Sequence, residues 1–211
     1  MVTIKEFEDI FEIYMCGNVN IISDCLKKGD TLIDIGANTG LLATKILEKV
    51  ELDKMILVEP IKPYYEECKN KLGHLPNVEF ENIGFSDENR IEKFYCSELN
   101  LGYNKIYKED MEIHPHFVEE IECFKFSDWI GNRKVNFIKI DAEGHDTNII
   151  MGMLEWLDKI TNYPYILFEG DWYEDLEKQT VNLLMERYPY DINYVGRDIL
   201  MIPKSINKTI I

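Results

Sequence analysis

The stretch Thr31-Leu32-Ile33-Asp34-Ile35 followed by Gly36-Ala37-Asn38-Thr39-Gly40 constrains this chain more than any other. A short apolar run ends in a glycine turn, and Leu41, Leu42, Ile46 and Leu47 then recur at helical spacing, so the segment reads as strand, turn and helix. The unit repeats. Residues 55–58 read as a second buried strand, Pro63 as the first turn of a helix, and residues 78–84 as a third strand. Residues 135–140 and 165–168 are two more apolar runs, each followed by a stretch able to form a helix. Alternation of this kind predicts an α/β fold, with a parallel sheet covered by helices on both faces.

The ends and one internal segment break that rhythm. Ile4, Phe7, Ile10, Phe11 and Tyr14 lie at three- and four-residue spacings, an amphipathic helix that Gly17-Asn18 is expected to end, and a second short helix is expected near 21–26. Residues 1–29 thus read as a helical N-terminal cap. Residues 191–196 and 199–202 flank Gly196-Arg197-Asp198 as a closing hairpin, and 205–211 read as a frayed tail. Between them, residues 90–126 hold β-type stretches around a polar loop with His114-Pro115-His116, an insertion on the sheet placed to serve as a lid. No repeat or Gly/Ser/Pro-rich linker divides the 211 residues, so one domain is expected.

Composition excludes several functions. Acidic side chains outnumber basic ones 39 to 23, a net charge of −16, which repels polyanions and argues against duplex nucleic acid as a partner. No apolar run approaches the ~18 residues of a spanning helix. The N-terminal stretch, with four acids in its first dozen residues, does not read as a secretory signal. Five cysteines form an odd set without a C-x-x-C pair, read as reduced thiols. A cytoplasmic location is expected.

The glycine turn lies where open α/β sheets bind ligands, at the carboxyl end of the first strand. A dinucleotide turn wants G-x-G-x-x-G, but Asn38 stands at the middle glycine and the last glycine comes a residue early, which disfavours NAD. A P-loop would end in Gly-Lys-Ser/Thr, whereas this turn ends in Gly40-Leu41, which disfavours ATP. The chemistry suits an adenosyl group joined to an amino acid without phosphate, that is S-adenosylmethionine, its carboxylate at the helix N-terminus. Asp34 is placed to receive the ammonium. Glu59, 19 residues beyond Gly40, is placed to accept both ribose hydroxyls. Asp87 is expected to accept from the adenine amino group, with Ser86 or its neighbouring backbone at a ring nitrogen. Asp141-Ala142-Glu143-Gly144-His145 after the fourth strand and Glu169-Gly170-Asp171 after the fifth should face the same cleft, because those strands are neighbours in a sheet ordered 3-2-1-4-5.

With these stretches in place, the sequence resembles the FkbM-type family of S-adenosylmethionine-dependent methyltransferases. LIDIGANTG (32–40), LVEP (57–60), NIGFSD (82–87), FSDWI (126–130) and IKIDAEGHDTNIIMGM (138–153) carry the resemblance. It implies a Rossmann-like class I methyltransferase fold, a mostly parallel seven-stranded sheet ordered 3-2-1-4-5-7-6, and O-methylation of a sugar or similar hydroxyl. The implied cofactor positions are Asp34, Gly36, Asn38, Gly40, Glu59, Pro60, Ser86, Asp87 and Asp141, and Asp141, Glu143 and Gly144 match the D-x-E-G motif. A hydroxyl acceptor must lose its proton. Asp141 is the first candidate base, His145 the second for its ordinary pKa of ~6.5, with Glu143 holding the loop and Glu169 beside them. Asp141, Glu169 and Asp171 would suit a partly hydrated Mg²⁺, although no metal is expected. His114 and His116 lack a third ligand and read as loop residues. Trp129 and Trp156 read as core and Trp172 as lying at the cleft mouth. The expected acceptor is a small molecule or carbohydrate, and the basic residues Lys105, Lys108, Arg133 and Lys134 offer a patch for a nucleotide-linked sugar. The competing readings are a non-catalytic subunit that keeps the adenosyl pocket and an NAD-dependent oxidoreductase.

Overall fold

A computed structural model describes residues 17–97, 105–106, 116–170 and 174–204. Helix α1 is described over residues 17–25, so Gly17 and Asn18, expected to break a helix, lie within one. β1 (Thr31–Ile35), α2 (Leu41–Leu47), β2 (Lys54–Val58), α3 (Lys62–Leu72) and β3 (Val78–Glu81) follow. After a second group of strands described below come α4 (Phe126–Trp129), β8 (Phe137–Ile140), α5 (Asp146–Leu157), β9 (Tyr165–Glu169), α6 (Glu174–Arg187), β10 (Tyr190–Val195) and β11 (Asp198–Pro203). The expected helix over 4–14 and the tail 205–211 lie outside the described residues.

The main sheet runs β10-β11-β9-β8-β1-β2-β3. Its pairings are parallel from β3 through β9, while β11 is antiparallel to both β9 and β10. Counted within this sheet alone the order is 3-2-1-4-5-7-6, with an antiparallel hairpin at one edge. Register sets the function of the fold. Ile35 lies opposite Val58 on one side and Ile140 on the other, Val58 opposite Glu81, and Ile140 opposite Phe168. Five parallel strands therefore end in one row, and the residues that follow them emerge along one edge.

Strand alternation splits the core into two layers. Ile33, Ile35, Ile56, Val58, Ile138, Ile140, Ile166 and Phe168 face α4, α5 and α6, packing on Phe126, Ile150, Met153 and Leu184. Leu32, Met55, Leu57, Phe137 and Leu167 face α1, α2 and α3, packing on Ile22, Ile46 and Cys68. Trp156 is buried and Trp129 packs against the first layer, as core residues should.

The insertion is β-rich, as expected, but it starts at Gly84 rather than Arg90. β4 (Gly84–Ser86), β5 (Arg90–Ser97), β6 (Lys105–Ile106) and β7 (His116–Lys125) form a separate four-stranded sheet, ordered β4-β7-β5-β6, rather than extending the main one. The third strand thus stops at Glu81, and the chain leaves through Asn82-Ile83 to pair Gly84–Ser86 in parallel with β7. One face of the second sheet buries Phe94, Ile121 and Cys123 against Ile61 and Tyr64 at the start of α3. This places the second sheet beside the loop that follows β2. Among the described residues no helix is long and apolar enough to cross a membrane.

Candidate active site

The row of strand ends opens into a cleft. Gly36, Ala37, Asn38 and Thr39 wall it on one side, Glu59, Pro60 and Ile61 on a second, and Asp141, Ala142, Glu143 and His145 on a third. The glycine turn owes its sequence to crowding. Gly36 has φ 80°, and a Cβ there would lie 1.9 Å from the Asp141 carbonyl oxygen. Only glycine lets the ends of β1 and β8 approach so closely. The N–H groups of the turn are already engaged: Gly36 and Ala37 donate to the Val58 carbonyl, Asn38 to Glu59, Thr39 to Asn38 Oδ1 and Gly40 to the Ala37 carbonyl. Helical bonding in α2 begins with Thr44 donating to Gly40, so the first-turn N–H groups of Leu41 to Ala43 precede it.

Beneath the turn lies a charge cluster that the sequence reading did not anticipate. Asp34 and Lys139 face each other across β1 and β8 and point to the same side of the sheet. The Lys139 ammonium lies 3.1 Å from Asp34 Oδ1, 3.3 Å from Asp141 Oδ2 and 3.5 Å from the Gly36 carbonyl. Asp34 is 1% exposed, does not line the cleft, and its Oδ2 has no hydrogen-bond partner among the described residues. Burial raises the Asp34 carboxyl pKa, with Lys139 opposing. Burial also works to lower Lys139, but Asp34 and Asp141 outweigh it and hold the ammonium above its ordinary value. The signal for Lys139 was legible: a lysine inside Phe137-Ile138-Lys139-Ile140, a strand buried at every position, demands a carboxylate partner.

Glu59 is buried at the end of β2, where its Oε2 accepts from Asn38 N–H and its Oε1 from Ile61 N–H, both at 2.8 Å. Burial lifts its pKa to about 7 against these two bonds. Asn82 Nδ2 donates to the Glu59 and Pro60 carbonyls at 2.8 and 2.9 Å, tying the end of β3 to this loop. Among the described residues Asn38 and Glu143 are the positive-φ non-glycine residues, at 51° and 50°. Both sit in cleft loops, where such strain is commonly held in place by its surroundings.

Ser86 and Asp87 stand elsewhere than expected. Neither lines the cleft: Ser86 is fully buried, and its hydroxyl lies 2.9 Å from both Asp87 Oδ1 and His145 Nε2. Asp87 also pairs with Arg90 at 2.9 Å. Burial would raise the Asp87 carboxyl, but the Ser86 hydroxyl and Arg90 outweigh it and hold it below its usual range. His145 does line the cleft, and burial followed by the Arg90 charge lowers its pKa. The residue that brings these together is Gly152 in α5, where a Cβ would lie 2.1 Å from the Ser86 carbonyl oxygen.

Glu169 departs from the expected arrangement too. Its strand neighbours β8, but it does not line the cleft with Asp141, and Arg197 in the β10–β11 turn lies 2.9 Å from its Oε1. The N–H groups of Glu169 and Ala142 both reach Asp146, at 3.3 Å to Oδ1 and Oδ2. Asp146 is 2% exposed and burial, then the Asp141 charge, lifts its pKa to about 7. It fastens the Asp141 loop to the end of β9, a role that no sequence signal announced. Asp171, Trp172, His114 and Lys108 lie outside the described residues. Among the described residues no group of three or more His, Cys, Asp or Glu could hold a metal ion. Arg133 of the expected basic patch donates to the Trp129 and Ile130 carbonyls at 2.8 and 3.2 Å, closing the end of α4.

The family model for the methyltransferase FkbM domain matches residues 34–192. The chain belongs to this family. An FkbM methyltransferase structure from Methylobacillus flagellatus has the same fold, with a TM-score of 0.60 at 14% identity over 84% of this chain and 44% of that one. This FkbM chain therefore spans under half the length of that relative. An rRNA methylase of Streptococcus thermophilus aligns at TM-score 0.51 and 10% identity, over 90% of this chain and 95% of its own. A Streptococcus mutans protein described as a methyltransferase and solved with S-adenosylhomocysteine aligns at 0.50 and 10%, over 90% and 97%. No curated protein matches the chain by sequence. The glycine turn and the Asp141 loop both lie within the matched residues.

Proposed function

We propose that this FkbM-family chain is an S-adenosylmethionine-dependent methyltransferase that O-methylates a hydroxyl of a sugar, nucleotide sugar or glycan precursor. The observation that carries the reading is the convergence of Glu59, Asp141 and Glu143 on one cleft at the strand ends, with Lys139 beneath them as a compensating cation. Such a site suits a phosphate-free ligand bearing positive charge and disfavours the pyrophosphate of NAD. The fit extends to the donor set. Each Glu59 oxygen takes one backbone N–H and retains a lone pair for a ribose hydroxyl. Gly36 and Asn38 bring backbone to the cleft wall, and the N–H groups opening α2 suit a carboxylate.

When bound, S-adenosylmethionine supplies an electrophilic methyl group for in-line displacement. The protein's part is to place an acceptor oxygen and remove its proton. Lys139 holds Asp141 Oδ2 at 3.3 Å, which fixes the carboxylate and leaves Oδ1 to accept from an incoming hydroxyl. Asp141 is the proposed base, and Asp34 sets the position of Lys139 from below. Glu143, on its strained backbone, faces the same space.

The test is transfer of an isotopically labelled methyl group from S-adenosylmethionine to a panel of sugars and nucleotide sugars. Asp141→Asn is expected to lower turnover by roughly 100-fold or more while S-adenosylhomocysteine still binds in calorimetry. Full turnover in that variant would remove Asp141 from the chemistry.

A further inference from the structure

Resting on the adenosyl-cofactor reading above, we infer that His145 reads the six-position of the purine, its Nδ1 accepting from the exocyclic amine, with Ser86 and Asp87 as the positioning residues that fix its tautomer. A carboxylate can only accept, so the single Ser86 hydroxyl proton goes to Asp87 Oδ1 at 2.9 Å. The Ser86 oxygen must then accept from the imidazole, 2.9 Å away, which puts the ring proton on Nε2. Nδ1 is left as an unprotonated acceptor, and it is the polar atom this ring can offer a ligand. The pair spans 59 positions in sequence and is buried, and Gly152 makes it possible by letting α5 close on the Ser86 carbonyl.

The surroundings of His145 suit a flat heterocycle. Ile61, Ile83, Phe85, Phe94 and Ile149 line the same cleft. Asn82 couples this region to the Glu59 loop, so a purine here adjoins the carboxylate proposed for the ribose. Ser86, fully buried, and Asp87, held by Ser86 and Arg90, do not line the cleft and act on the ligand through the imidazole. An acceptor at this point favours adenine, which carries a donor amine, over a six-oxo purine, which would set oxygen against nitrogen.

Calorimetry with S-adenosylhomocysteine and its six-oxo analogue, S-inosylhomocysteine, tests this directly. The wild-type chain should prefer the adenosyl ligand by on the order of 10- to 100-fold. His145→Ala should bring the ratio near one, chiefly by weakening the adenosyl ligand, and Ser86→Ala should reduce the ratio by freeing the tautomer. His145→Asn, which keeps an acceptor oxygen close to the Nδ1 position, should retain part of it. A wild type with no preference overturns the inference even if a variant fails to fold, and so does a full preference in folded His145→Ala or Ser86→Ala. If the wild type binds neither ligand, the adenosyl-cofactor reading falls as well, whereas tight binding of both ligands removes the role of His145 alone.

Discussion

Lys139 carries two carboxylates at once, and the consequence is a buried charge balance that one substitution would upset. Lys139→Met leaves Asp34, 1% exposed, without its cation, and should lower the unfolding free energy by about 3–5 kcal/mol. Adding Asp34→Asn should restore most of that loss in urea melts; a double variant as unstable as the single one would contradict the pairing. Glu59 and Asp146 make a second prediction, since burial lifts both to about 7. In the window from ~4 to 7 the folded state holds protons that the unfolded chain, with carboxyls near ~4, has released. Their contribution is therefore fully present below pH ~4 and is lost as pH rises through 7, at up to ~1.4 kcal/mol per unit for each group. Glu59→Gln with Asp146→Asn should flatten that part of the stability profile measured by denaturant titration. A slope unchanged from the wild type would place the protons elsewhere.

At the scale of elements, two glycines set the distances between them. In a helix interior glycine costs about 1 kcal/mol relative to alanine, so Gly152→Ala in α5 would stabilise an isolated helix. Here the added methyl meets the Ser86 carbonyl at 2.1 Å, and the variant should instead lose ~1–3 kcal/mol, read as a lower thermal midpoint. Gly36→Ala faces both a positive φ and the Asp141 carbonyl, and should abolish cofactor binding in calorimetry. These elements also mark how far the sequence could be read. Strands β1, β2, β8 and β9 were legible because buried runs end in turn residues, and their parallel order follows from alternation, so Glu59 and Asp141 could be brought to one edge. The second sheet was not. Its β4 has three residues and pairs Gly84 with Cys123, and no periodicity in so short a run distinguishes it from the tail of β3. The sequence puts Ser86 and Asp87 at the end of the third strand, whereas Ser86 closes β4 and Asp87 follows it, and their link to His145 depends on the fit of α5 against β4.

Across the whole molecule the net charge of −16 and the carboxylate-rich cleft act in the same direction. The long-range field repels polyanions, and the local one favours a ligand carrying a sulfonium and an ammonium. The rows of residues at the strand ends are what make a single site from segments spread between Gly36 and His145. The proposed function requires that this site take an adenosyl amino acid and not a dinucleotide. Thermal unfolding of the intact chain with S-adenosylhomocysteine or NAD tests it most directly. At 100 times its dissociation constant a bound ligand stabilises by ~2.7 kcal/mol, and a chain of this size should gain ~2 to 4 °C per kcal/mol. A rise of several degrees is expected with S-adenosylhomocysteine and none with NAD. A rise with NAD and none with S-adenosylhomocysteine would overturn the proposed function.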